Sequence, residues 1–276
     1  MAQSFAHGNY SHTQQKARNG GGGRTSRDRS RRELSQNFLV DQHAVDLIVK
    51  AAEPSGLVLE PGPGEGALTF ALAAAGARVL GYELDPLLAA KLAARSRDDA
   101  RIRIVKGDFA QAKAPDGPFA VVGNIPYSAT SKIVDWCLAA PGMTSATLLT
   151  QREYARKRSG DFGRWSLVTV ESWPWFDWSL GDLIGRGSFR PVPAVDSAIL
   201  RIERRAHPLI GSGLESAWRD LVELGFGGVG GSLRASLRTR YDGVDTALAR
   251  AGVAADTVVG YVTPDQWVTI FQELGR

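Results

Sequence analysis

The chain has 276 residues, 43% of them apolar and 22% charged, the composition of a globular protein with one large core and room for a small appendage. No apolar run approaches the ~18–20 residues needed to cross a bilayer; the longest, residues 67–77, is closed by Arg78. Cys137 is the only cysteine and the four histidines are scattered, which excludes an internal disulfide or a multi-cysteine metal site and argues against a metal enzyme. The formal charge of +4 is uneven: residues 1–34 hold seven basic groups against Asp28 and Glu33, while the other 242 residues carry 26 basic and 27 acidic groups. With a polar, basic start that lacks the apolar segment of a secretory signal, the expectation is a cytoplasmic α/β protein without a metal.

Residues 1–30 read as a flexible Arg/Gly-rich arm, with too few apolar residues for a core. Its charge suits a phosphate backbone, and equally a solvated tail. Asp41 can cap a helix with Val45, Ile48 and Ala52 on one face. Leu57-Val58-Leu59 is a short buried strand that runs into Glu60-Pro61-Gly62-Pro63-Gly64-Glu65-Gly66, and an Ala-rich helix follows from Ala67 to a stop at Gly76. Val79–Tyr82 is a second strand, ended by Glu83; Asp85 then caps a helix with Pro86 at its first position. Ile102–Val105 leads to Asp108, Ala120–Val122 leads to Asn124, and Thr147–Leu149 is a fifth strand. Arg152, Arg156, Lys157, Arg158 and Arg164, interleaved with Tyr154, Phe162 and Trp165, suit unstacked single-stranded bases, although taken alone such a cluster favours a charged helix face lying over a core edge. Leu167–Val170 reads as strand by propensity, and Asp196–Arg201 as a last strand. Beyond Arg205 the pattern is helical: Leu221, Leu224, Leu233 and Leu237, then Val244–Ala251, then a final helix opened by Thr263-Pro264. The Cys137 helix reads as structural, with Ile133, Val134 and Leu138 as core neighbours. Strands alternating with helices predict a mostly parallel sheet covered on both faces.

In such sheets ligands bind beyond the carboxyl ends of the strands. Those ends carry the glycine loop, Glu83, Asp108 and Asn124. Gly62, Gly64 and Gly66 let a ligand approach the backbone. Glu83 lies 21 residues after Gly62, the separation at which an acid grips ribose hydroxyls, so a nucleoside-containing ligand is favoured over a plain tight turn. Asn124-Ile125-Pro126-Tyr127 separates this from a nicotinamide enzyme. An exocyclic amine on a base is a poor nucleophile because its lone pair is delocalised. An Asn oxygen and a neighbouring carbonyl can accept both amine hydrogens, while the aromatic ring stacks on a base taken out of its helix.

Gln36-Asn37-Phe38-Leu39, the glycine loop, Asn124-Ile125-Pro126-Tyr127 and Phe189-Arg190-Pro191-Val192-Pro193 through Val195-Asp196-Ser197-Ala198 together resemble the rRNA adenine N6-methyltransferases. The Erm group of macrolide–lincosamide–streptogramin B resistance enzymes is the most similar. Arg27–Arg32 and Gly160–Ser166 are like its actinobacterial members. The similarity runs from about Arg24 onward. It implies a Rossmann-like S-adenosylmethionine-dependent methyltransferase fold, with a catalytic domain over 31–204 and a helical RNA-binding domain over 205–276. S-adenosylmethionine is the implied cofactor, held by Asn37, Leu39, Gly62, Glu83, Asp108 and Asn124. Asn124, Tyr127 and Phe189 are implied at the target base; Arg156, Arg158, Arg164 and Arg190 are the expected RNA contacts. The implied reaction is in-line methyl transfer to N6 of an adenine in the peptidyl-transferase loop of 23S rRNA, protein-free or in an assembling large subunit, by a monomer. The family also implies helix over Ser166–Phe176, against the propensity there. Two alternatives stay open: a housekeeping small-subunit rRNA adenine dimethyltransferase, and a non-catalytic RNA-binding relative.

Overall fold

The structure, a computed structural model, describes residues 37–228 and 231–275; the arm expected over residues 1–30 lies outside them. A two-residue strand, β1 (Phe38–Leu39), precedes helix α1 (Gln42–Ala52), capped by Asp41 through its side chain to the His43 N–H. The chain then alternates as the apolar pattern predicts: β2 (Leu57–Pro61), α2 (Ala67–Ala74), β3 (Arg78–Glu83), α3 (Pro86–Arg95), β4 (Ile102–Lys106), β5 (Phe119–Asn124), α4 (Thr130–Ala139) and β6 (Met143–Gln151). Asp85 caps α3 with Pro86 at its first position. Gly76 closes α2 at φ 99°, a conformation that favours a residue without Cβ.

After β6 the structure departs from the sequence expectation. Helix α5 (Arg152–Arg158) is followed by α6 (Leu167–Ser172), where propensity predicts a strand. Ser166 caps α6 by accepting from the Thr169 N–H, and Val170 is fully buried, so capping and burial override the β-branched run Val168-Thr169-Val170. A strand not expected from the sequence, β7 (Phe176–Ile184), follows; β8 (Phe189–Arg190) and β9 (Ser197–Arg204) complete the strands. The remaining elements are helices α7 (Glu215–Phe226), α8 (Leu233–Leu237), α9 (Val244–Arg250) and α10 (Pro264–Leu274). Thr263 and Gln266 form a reciprocal capping box on α10.

The main sheet has the order β4-β3-β2-β5-β6-β9-β7. Strands β4 to β6 are parallel, and β9 is antiparallel to both of its neighbours. Side chains alternate between two cores, as the period of a strand requires. Val58, Val122, Leu149 and Ile199 join α1 and α2 on one face; Leu59, Val121, Leu148 and Leu200 join α4 and the C-terminal helices on the other. On that second face Trp173, Trp178, Trp218 and Trp267 belong to one buried cluster with Val121 and Cys137. Among the described residues, no helix is long and apolar enough to cross a membrane.

Candidate active site

Strand order reverses between β2 and β5, where the chain winds outward in both directions, and a crevice opens at such a point. The glycine loop leaves β2 there. Gly62, Gly64 and Gly66 all have positive φ (64°, 57° and 87°). A Cβ on Gly62 would have only Pro126 Cδ nearby, at 3.9 Å, so this exposed glycine borders open space next to the Asn124–Tyr127 turn. Gly64 instead lies under Phe38, whose ring a Cβ would meet at 3.0 Å.

Glu83 ends β3 with its side chain buried. Its carboxylate accepts the Gly64 N–H at 2.8 Å and the Asp85 N–H at 2.9 Å, which ties the glycine loop to the second strand end. Burial pushes its carboxyl above the ordinary range, and the two N–H groups oppose that. The Gly107 N–H donates to the Glu83 carbonyl at 2.9 Å, which sets Asp108 beside this acid. Asp108 is exposed and accepts the Ala110 N–H at 3.0 Å.

At the head of β5, the Asn124 amide Nδ2 donates to the Asn37 carbonyl at 2.8 Å. This contact fixes which way the amide faces and leaves Oδ1 available as an acceptor. Segment 37–41 acts as a strap over the crevice. Leu39 pairs with Phe189 in the small β1–β8 sheet, the Val40 N–H donates to the Ser188 carbonyl at 2.9 Å, and the Ser188 hydroxyl donates to Asp41 at 2.7 Å. Phe189 is fully buried in one cluster with Leu39 and Ile199. Tyr127 is half-buried, and its phenol shares a 2.7 Å hydrogen bond with the Ser197 hydroxyl. Asn37, Leu39, Gly62, Glu83, Asp108, Asn124, Tyr127 and Phe189 therefore gather at one end of the sheet, although they come from six separate places in the chain.

Of the expected RNA-contact arginines, Arg190 adjoins this group, opposite Phe38 in the small sheet, whereas Arg156, Arg158 and Arg164 have partners of their own outside it. Arg156 pairs with Asp161, its guanidinium 3.9 Å from the Phe162 ring centre. Arg158 donates to the Ser166 hydroxyl at 2.8 Å and covers Tyr154. Arg164 donates to the Tyr261 phenol and lies over its ring, and Arg190 donates to the Phe189 carbonyl at 2.7 Å. Sequence reasoning missed Glu60, Phe38 and Ser197 as parts of the site. Glu60 is buried, accepts the Thr69 hydroxyl at 2.6 Å, and is pushed up to about 8 by burial and then by the nearby Glu83 carboxylate.

An open glycine cradle, two acidic strand ends and an aromatic turn at the reversal of strand order are the marks of a Rossmann-like methyltransferase. The crystal structure of 23S rRNA methyltransferase ErmE superposes with a TM-score of 0.84 at 48% identity, covering 87% of this chain and 100% of that one. This chain belongs to the ribosomal RNA adenine dimethylase family, whose model it matches over residues 27–276. It is 51% identical over 258 residues to an rRNA adenine N-6-methyltransferase of Aeromicrobium erythreum, spanning 92% of this chain and 76% of that one. It is 35% identical to the mycinamicin-resistance protein MyrB of Micromonospora griseorubida, spanning 88% and 78%.

Proposed function

We propose that this protein methylates N6 of an adenine in the peptidyl-transferase loop of 23S rRNA, acting in the cytoplasm as a monomer on protein-free or assembling large-subunit RNA, and so confers macrolide resistance. The observation that carries this reading is the Asn124–Tyr127 turn beside the glycine loop, with the Asn124 amide held by the Asn37 carbonyl. When bound, S-adenosylmethionine supplies an activated methyl group on a sulfonium, so no covalent enzyme intermediate is required.

The chain's residues then divide the work. The bare backbone at Gly62 admits the methionine end, Glu83 accepts from ribose hydroxyls with the lone pairs its N–H partners leave free, and Asp108 accepts from the adenine amine. Asn37 and Leu39 close over the cofactor from the strap. Asn124 Oδ1 accepts one hydrogen of the target amine, which favours a tetrahedral nitrogen and localises its lone pair. Tyr127 stacks on the extruded base, Phe189 flanks the same pocket, and both rings stabilise the positive charge that develops at N6. No general base is needed before transfer, because the nitrogen becomes acidic only once methylated. Residues 31–204 carry this chemistry. The helical segment 205–276, with Arg156, Arg158, Arg164 and Arg190, holds the RNA.

The test offers labelled S-adenosylmethionine side by side to protein-free 23S rRNA, 16S rRNA and assembled small subunits. Label on protein-free 23S rRNA is expected; label only on 16S rRNA or small subunits would make the substrate that of a housekeeping dimethyltransferase. Asn124→Ala should lower turnover on the order of a hundredfold, the size found when one preorganised hydrogen-bonding group is removed at a reacting centre. Near-normal turnover would exclude the role given to this amide.

A further inference from the structure

Ser197 is fully buried at the first position of β9, and its backbone is paired on both sides, with Gln151 of β6 and with Ile184 of β7. Its Cα is therefore among the best-fixed points near the site. Successive strand residues face opposite ways, so Ser197 shares a face with Ile199, which clusters with Phe189 and Leu39. Tyr127 stands on a short turn, Tyr127–Ala129, that leaves its ring half-exposed; the hydrogen bond to Ser197 is the one polar contact of its side chain among the described residues. Seventy residues separate the two hydroxyls along the chain. Without that contact, the ring of a turn residue has its rotamers restricted only by packing.

We infer that Ser197 is a positioning residue for methyl transfer: its buried hydroxyl holds the Tyr127 ring at a set angle, so that β9 both tethers Tyr127 and backs the buried Phe189 cluster behind it. Ile199 belongs to the Phe189 cluster and Ser197 tethers Tyr127. Burial, together with the nearby Asp196 carboxylate, keeps the Tyr127 phenol neutral, so the tether stays a bond between two neutral hydroxyls. The inference rests on the stacking role proposed for Tyr127, and the experiment separates the two.

Single-turnover methylation of protein-free 23S rRNA is compared in the full chain for Ser197→Ala, Tyr127→Phe, the double variant and Tyr127→Ala. Losing one buried hydrogen bond predicts a rate lowered about three- to tenfold in either single variant. Cofactor and RNA affinities should be unchanged, and the double variant should be no slower than the singles. If the tether is only structural, Ser197→Ala lowers Tm but leaves the rate alone, and the inference is overturned. Multiplying effects in the double variant overturn it as well. A collapse in Tyr127→Ala with full rates in Ser197→Ala and Tyr127→Phe keeps the stacking role and removes the tether. A full rate in Tyr127→Ala removes the stacking role itself. Should Ser197→Ala not fold, Tyr127→Phe cuts the same bond from its half-exposed end and decides the matter.

Discussion

Glu60 stands behind the glycine loop with no solvent to stabilise its charge. Among the described residues its side chain's one hydrogen bond comes from Thr69, and the Glu83 carboxylate is close enough to oppose ionisation. A carboxyl raised to about 8 keeps in the folded state a proton that the unfolded chain releases near 4.5. The stabilisation is thus complete below about 4.5 and is lost as pH rises through about 8. Glu60→Gln keeps an oxygen acceptor for Thr69 but cannot ionise. Its Tm should therefore fall less than that of the natural chain between pH 5.5 and 8.5, by several degrees at ~2–4 °C per kcal/mol in a domain of this size. Parallel melting curves would reject the assignment. The sequence names Gly62, Glu83, Asp108 and Asn124 because strand ends and glycine spacing are local signals. It does not name Glu60 or Ser197 as site residues. Their settings come from Thr69, nine positions on, and from Tyr127, seventy away, and such contacts leave no local pattern.

Elements were legible where one periodicity ran unbroken. Strands β2 to β6 and the caps at Asp41, Asp85 and Thr263 stand where pattern and capping chemistry place them. Strand β7 did not show because its alternation of Phe176, Trp178 and Leu180 breaks at Gly181-Asp182, where the register with β9 shifts. Gly181 lies so close to Ile199 that a Cβ would meet its Cβ at 3.0 Å, a constraint set by the neighbouring strand. A similar crowding fixes Gly225 inside α7. A Cβ there would fall 2.3 Å from Cη2 of Trp267 and 2.7 Å from Leu233 Cδ1. Alanine gains about 1 kcal/mol in helix propensity over glycine. Overpacking against a rigid, fully buried indole costs about 1–3 kcal/mol, so the clash should win. Gly225→Ala should lower the urea midpoint with little change in m; a raised midpoint would mean that the helices separate easily.

For the molecule as a whole, the α/β alternation was readable and its closure was not. No local signal announces that the C-terminal helices share a buried cluster with the sheet through Trp218, Trp267, Val170 of α6 and Trp173 just beyond it. That packing has an optical consequence. Of the seven tryptophans, six lie between residues 165 and 267. Trp136 is the exception: its ring lies 4.4 Å from Phe109 and its indole N–H donates to Ala112 at 2.9 Å, directly behind the turn that presents Asp108. The chain thus carries one tryptophan behind the Asp108 turn, at the edge of the buried cluster, and the other six farther along the sequence. Adding S-adenosylmethionine should perturb only the first, and Trp136→Phe should abolish the titration signal while the denaturation signal from the core persists. A response that survives in Trp136→Phe would reveal that the crevice and the helical core communicate.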